Sequence, residues 1–233
     1  MIAKNIKHLT ERITDKCDEF RRNPKEIKLI AVSKFFGLDA INEVNRLGIT
    51  DFGENKAQEL RDKYEILGDK VTWHFIGTLQ RNKVKYAVKA ATYIHSVDSS
   101  MLVDEVNNQA QKINKVQKIL LEVKTSSEDS KSGLTTDTEV LDLVKHCSSL
   151  SHIELVGLMT MAPFTDDVKI IRKSFADLRN LRDKINQNGF DLRELSMGMT
   201  NDYEIAIEEG TTMLRIGSAI FGQRDTTKDW RKS

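Results

Sequence analysis

The 233-residue chain has little of what stapled, metal-built or membrane folds require. Its two cysteines, Cys17 and Cys147, lie far apart and in no metal-ligand spacing, which excludes a disulfide scaffold and a cysteine-rich zinc site. His74 has no second histidine at metal spacing either, so the sequence offers no metal site. No apolar run is long enough to span a bilayer. An excess of one charge is also missing. The 36 basic and 35 acidic side chains leave a net charge of +1, too weak a field to grip nucleic acid or a membrane surface. Met1 to His8 is polar and helix-periodic, unlike a signal peptide, so a cytoplasmic protein is expected. No Gly-rich dinucleotide turn, linker, low-complexity segment or sequence repeat interrupts the chain.

What is present is the balance of a soluble globular protein, with 39% hydrophobic and 30% charged residues. The length suits one domain with a substantial core, and residues 1–233 are read as that domain. Ile6, Leu9, Ile13, Cys17 and Phe20 are spaced for one helical face, which Asn23-Pro24 ends. From there, short apolar runs alternate with amphipathic stretches. Strands are predicted at 27–32, 49–52, 71–76, 93–97, 116–123, 153–159, 193–197 and 212–216. Helical faces lie between them, around Ala40–Leu47, Ala57–Leu67, Val84–Ala91, Leu102–Ala110, Val140–Val144, Ile171–Leu181 and Tyr203–Glu209. Repeated βα units demand parallel strands with helical crossovers. Eight of them in a chain of this length predict an α/β fold of the (β/α)8 TIM-barrel type, with an extra N-terminal helix. The polar tail after Phe221 is expected to fray.

Such a barrel carries its site where the strands end. Lys34 ends the first apolar strand. Partial desolvation there would lower its pKa and make it a nucleophile toward an aldehyde, and a rim lysine snorkelling to solvent is the plainer alternative. Ser196 to Asn201 and Arg215 to Ser218 follow the seventh and eighth strands, where barrels bind phosphate. Gly198 and Gly217 would let backbone approach an anion, and Ser196, Thr200 and Ser218 supply hydroxyls. Turn glycines with a helix cap at Thr200 or Asn201 would read the same way. Arg215, inside an apolar strand, needs an acceptor, which a ring nitrogen, a phosphate or a carboxylate such as Glu54 could provide. Asn55 suits a helix cap, and His74 a satisfied core histidine. The basic run Arg81, Lys83, Lys85, Lys89 reads as a solvated helix face, and Ser130-Lys131-Ser132-Gly133 as a loop.

Several short motifs occur in order from Leu29 to Gly222. They are Ala31-Val32-Ser33-Lys34, Phe52-Gly53-Glu54-Asn55, His74-Phe75-Ile76-Gly77 with Leu79-Gln80 and Asn82-Lys83, Ser130-Lys131-Ser132-Gly133, Gly157-Leu158-Met159-Thr160, Leu195-Ser196-Met197-Gly198-Met199, and Arg215-Ile216-Gly217 with Ile220-Phe221-Gly222. Each is weak alone. The ordered set resembles the pyridoxal 5′-phosphate homeostasis family, single-domain relatives of the alanine racemase N-terminal barrel. The resemblance implies that Lys34 holds pyridoxal phosphate (PLP) as a Schiff base. It further implies that Ser196, Thr200, Gly217 and Ser218 surround the phosphate, that Arg215 approaches the pyridine nitrogen, and that Asn55, His74 and Met159 lie near the cofactor. Three positions depart from the pattern: Phe35-Phe36 after the lysine, Lys56 after Asn55, and Thr200 in place of serine.

A two-base racemase needs a proton-handling group on each face of the cofactor. Lys34 supplies one, and none of Tyr64, Tyr86, Tyr93 and Tyr203 has an evident route to the other. An arginine at the ring nitrogen would also weaken the ring as an electron sink. The expectation is therefore a monomeric, non-catalytic PLP carrier in vitamin B6 and amino-acid homeostasis, with PLP-dependent apoenzymes as recipients. A weak amino-acid racemase is the alternative, and a phosphosugar Schiff-base aldolase the third reading.

Overall fold

A computed structural model describes residues 1–125, 133–223 and 230. Residues 130–132 of the expected loop lie outside them. Helix α1 (Ile2–Glu19) leads, followed by β1 (Lys28–Val32), α2 (Leu38–Arg46), β2 (Asp51–Glu54), α3 (Ala57–Leu67), β3 (Thr72–Phe75), α4 (Val84–Ala90) and β4 (Tyr93–Val97). The second half runs α5 (Ser100–Lys112), β5 (Gln117–Glu122), α6 (Asp137–Ser148), β6 (Ile153–Met159), α7 (Val168–Gln187), β7 (Glu194–Ser196), α8 (Tyr203–Glu208), β8 (Met213–Ile216) and the single-turn α9 (Ser218–Phe221). The strands pair in parallel and in sequence order. β8 returns to β1 with Lys28 opposite Met213 and Ile30 opposite Arg215, so the sheet closes into the expected barrel. Only α9 has no counterpart in the apolar periodicity.

The two-residue alternation of each strand sorts its side chains between two environments. Ala31, Phe52, Trp73, Ile94, Leu121 and Leu214 belong to the large core between the sheet and the helices. Their neighbours face the lumen, where Ile30, Leu120, Met159 and Met213 make a small separate apolar cluster. That lumen is unlike the layered Val/Ile/Leu filling usual in such barrels. Around its apolar cluster it carries Lys28, Asp51, His74, Tyr93 and His95, with His74 stacked on Tyr93 at 4.7 Å and the Lys28 ammonium 4.7 Å from the same ring. Lys34 continues the Lys28, Ile30, Val32 row.

Helix α1 turns its Ile6, Leu9, Ile13, Cys17 face inward. It is tied to the end of the chain by Asn5 Nδ2 donating to the Ile220 carbonyl at 3.0 Å and by Lys16 to Glu208 at 2.6 Å. Trp230 is buried against Lys63, with the ammonium 5.1 Å from its ring centroid. The rest of the tail expected to fray, residues 224–229 and 231–233, lies outside the described residues. Among the described residues no helix is long and apolar enough to cross a membrane.

Barrel closure leaves no room at the β6–β7 pairing. A Cβ on Gly157 would sit 1.9 Å from the carbonyl oxygen of Glu194. Gly157→Ala is expected to cost about 3 kcal/mol or more, because backbone rather than a mobile side chain must yield. Thermal unfolding checks this: the midpoint should fall by on the order of 10 °C.

Candidate functional site

A cavity of about 660 Å³ opens at the C-terminal ends of the strands. Val32 and Lys34 reach it from β1, Asn55 from β2, Ile76 from β3, Met161 to Asp166 from β6, Thr200 to Asp202 from β7, and Arg215, Gly217 and Ser218 from β8. Its size suits a small molecule. Of the residues expected at the site, Lys34, Asn55, Thr200, Arg215, Gly217 and Ser218 line this one cavity. Met159 lies in the apolar lumen cluster. His74 and Ser196 are fully buried and reach the cavity only through hydrogen bonds to other residues.

Lys34 sits at the apex of a turn that leaves β1 and closes with the Phe36 N–H donating to the Ser33 carbonyl at 3.0 Å. Asn55 is not a helix cap. α3 begins at Ala57 with Lys56 in the cap position, and the buried Asn55 Oδ1 has no hydrogen-bond partner among the described residues. An unsatisfied buried acceptor on a cavity wall is a ready contact for a ligand donor. Thr200 and Asn201 are not caps either, because α8 starts at Tyr203 behind Asp202. Ser218 donates to the Thr200 hydroxyl at 3.2 Å, so the loops after β7 and β8 present two adjoining hydroxyls. Gly217 lines the cavity beside them, whereas Gly198 is a packing residue. Its φ is +96°, and a Cβ there would lie 2.6 Å from Ala206 Cβ.

Arg215 is buried, and its two hydrogen bonds among the described residues go to neutral oxygens, Ser196 Oγ at 2.6 Å and the Thr160 carbonyl at 2.8 Å. Glu54, weighed as a partner, instead accepts from Ser33 and Lys63. Burial pushes the guanidinium down to about 10, with Asp202 and Glu122 opposing, so it stays a cation at neutral pH. Behind it runs a chain of hydrogen bonds that the sequence did not reveal. Ser196 Oγ meets His95 Nδ1 at 2.9 Å, His95 Nε2 meets His74 Nδ1 at 2.9 Å, and His74 Nε2 meets Asp51 Oδ1 at 2.9 Å. An arginine only donates and a carboxylate only accepts, so the two ends fix the direction between them. Arg215 donates to Ser196, Ser196 to His95, His95 to His74, and His74 to Asp51, with both imidazoles neutral and protonated at Nε2. Burial holds both histidines below their ordinary range, His95 well below it, where the Arg215 and Lys28 cations add to the effect. Burial raises the Asp51 carboxyl, but the hydrogen bonds from His74 and Thr50 together with nearby positive charge outweigh it and leave the group below the usual carboxylate range. The one available signal was the period-two spacing that puts Asp51, His74 and His95 on lumen-facing rows.

Fold and site together define a rim-site (β/α)8 barrel in which an amine, a buried cation and a pair of loop hydroxyls share one small-molecule cavity. The description "Alanine racemase, N-terminal domain" matches residues 8–225, and the chain belongs to that family. It is 39% identical over 224 residues to a pyridoxal phosphate homeostasis protein of Aquifex aeolicus, covering 95% of this chain and 98% of that one. It is 36% identical to the protein of the same name in Pasteurella multocida, covering 97% and 99% of the two chains. Among solved structures it is similar to PipY of Synechococcus elongatus PCC7942 with PLP bound, with a TM-score of 0.84, 33% identity, and 95% and 100% of the chains covered. An alanine racemase of Clostridium difficile shares the fold at 14% identity and a TM-score of 0.74, with 96% of this chain matching 62% of that one.

Glu122, at the end of β5, is also buried close to this rim. Desolvation, reinforced by Asp98 and opposed by Arg215, lifts its carboxyl from 4.5 to about 7. A pKa raised in the folded state means that stability is complete below the unfolded value and is lost as pH rises through about 7. Glu122→Gln removes that loss. Denaturant unfolding should find the variant more stable than the parent at pH 8 by up to about 3 kcal/mol, and equal to it below pH ~4.5.

Proposed function

We propose that this chain binds PLP in the rim cavity, holds it as a Schiff base on Lys34, and serves PLP and amino-acid homeostasis as a carrier rather than a catalyst. The observation that carries the reading is the convergence of Lys34, Arg215, Thr200 and Ser218 on one cavity. The cofactor supplies an aldehyde for a primary amine and a pyridine ring able to take up electrons. The residues fit those groups. Lys34 brings the amine. Thr200, Gly217 and Ser218 bring hydroxyl and backbone donors for a phosphate. Arg215 brings a buried cation with donors for the ring nitrogen, and Asn55 an acceptor for a ring substituent.

Two features favour holding over turnover. Arg215 cannot give up a proton at neutral pH, so a ring nitrogen resting on it stays unprotonated and withdraws electrons weakly. None of the chain's four tyrosines lines the cavity, so the second proton-handling group of a two-base racemase has no tyrosine to supply it. Homology supports the same reading, since relatives matched over nearly their whole length carry the homeostasis name. PLP-dependent apoenzymes are the recipients this role requires.

The test is an absorbance spectrum of the purified protein, borohydride reduction, and peptide mass mapping. The expected result is a yellow protein whose reduced adduct maps to Lys34, no adduct in Lys34→Ala, and no turnover of any amino acid tried. A colourless protein that takes up no added PLP would overturn the reading in favour of a phosphosugar aldolase. Amino-acid turnover abolished by Lys34→Ala would replace the carrier with an enzyme.

A further inference from the structure

Three ionisable side chains that touch no part of the cavity are buried directly behind the turn that carries Lys34. Lys63 and Glu54 are fully buried and Glu59 nearly so. The Lys63 ammonium uses all three of its N–H donors, to Glu54 Oε1 at 2.7 Å, Glu59 Oε1 at 2.8 Å and the Ser33 carbonyl at 3.0 Å. Glu59 Oε1 also accepts the Phe35 N–H at 2.9 Å, and Glu54 Oε1 accepts the Ser33 hydroxyl at 2.6 Å. The Ser33 carbonyl belongs to the peptide unit before Lys34, and the Phe35 N–H to the one after it. Both units flanking the Lys34 Cα are thus bound to the same buried cluster. Its remaining side is covered by the Trp230 ring.

The turn itself needs such a hold. Phe35 has φ +71°, at the position of the turn where glycine or asparagine is the usual occupant. A side chain there costs roughly 1–2 kcal/mol of backbone strain. Two carboxylates and one ammonium also form an expensive cluster to bury, and apolar side chains of the same volume would stabilise the fold at least as well. Burial pushes the Glu54 carboxyl up, with Lys63 opposing and Glu59 adding to the rise. What apolar packing could not do is bind a carbonyl on one side of Lys34 and an N–H on the other.

We propose that Glu59, Lys63 and Glu54 are positioning residues for Lys34. They fix the backbone on both sides of it, so that its amine is presented to the cavity in one orientation. This rests on the function proposed above and adds the device that prepares the lysine for condensation.

The experiment compares two ligands in parent, Glu59→Ala and Glu59→Gln proteins. The first ligand is PLP. Its aldehyde carbon forms a C=N bond to the Lys34 nitrogen as water leaves, and borohydride traps the product. The second is pyridoxine 5′-phosphate, whose alcohol cannot condense and which reports the cavity alone. Glu59→Ala leaves the Lys63–Glu54 pair balanced but removes the acceptor for the Phe35 N–H. Condensation is expected to slow by about tenfold or more, with pyridoxine phosphate affinity within about twofold of the parent. Glu59→Gln retains an acceptor oxygen and should recover most of the rate. Condensation at the parental rate in Glu59→Ala overturns the proposal. So does an equal loss of affinity for both ligands, which would make the cluster a support of the cavity as a whole. Hydrogen exchange on the parent protein decides the matter even where Glu59→Ala does not fold. The Phe35 amide should exchange as slowly as the strand amides of β1, and exchange at the rate of an exposed turn overturns the proposal. If the parent traps no adduct on Lys34, the function proposed above fails and takes the cluster's purpose with it, whatever the Phe35 amide does.

Discussion

Closure of the sheet between β1 and β8 is the constraint on which everything else in this molecule depends. The two strands come from opposite ends of the chain. Their pairing from Lys28 opposite Met213 to Ala31 opposite Ile216 is what sets the turn carrying Lys34 beside Arg215, Gly217 and Ser218. An open sheet would leave these residues on opposite edges. Closure also creates the enclosed lumen in which Arg215 is desolvated, and a desolvated cation with neutral partners attracts an electron-rich group far more strongly than an exposed one. The chain from Arg215 to Asp51 follows from the same enclosure. Polar groups inside a barrel must satisfy one another, and here they do so along a single line that runs away from the cavity.

Period and punctuation carried most of the fold. The β1 run Lys28–Val32 and the α1 face Ile6, Leu9, Ile13, Cys17 were legible because local periodicity and burial agree there. Lys34 and the β7 and β8 loops were legible as site candidates because barrel topology makes every strand end a candidate. What could not be read was the destination of buried polar side chains. The resemblance sets His74 and Ser196 near the cofactor, and in the fold each is a buried link in the lumen chain. No local pattern marks His95, Asp51, Glu59 or Lys63 as members of a hydrogen-bond network. Glu59 and Lys63 lie on α3, four residues apart, in a pattern that normally marks a solvated ion pair. The β1 turn, Glu54 of β2 and Trp230 pack against them and bury them. Such an outcome depends on contacts distant in sequence, and no local pattern encodes it.

Phe35 shows the same limit from the other direction. It is one of the departures from the family pattern. In the fold its consequence lies in the backbone, because φ +71° places a bulky residue where glycine would rest without strain. Lys56, the second departure, has its ammonium 5.2 Å from the Phe35 ring centroid, so the two unusual residues support each other. The third, Thr200, keeps a hydroxyl next to Ser218. None of the three removes a group that the site needs.

Under the function proposed above, a carrier of a reactive aldehyde faces opposing demands, and different parts of the cavity would meet them. Retention requires a covalent bond with an oriented amine and an anchored anion. Release requires that the bond remain open to water and that the ring not be drawn on into further chemistry. In that reading a buried arginine at the ring end would serve the second demand, because it offers hydrogen bonds and positive charge but no proton. In the same reading the hydroxyl-lined loops after β7 and β8 would serve the first by holding the phosphate. A general acid in place of Arg215 would protonate the ring nitrogen and turn the same lysine and the same phosphate site toward catalysis. On this view Arg215, held by Ser196 and the Thr160 carbonyl, would favour storage over turnover.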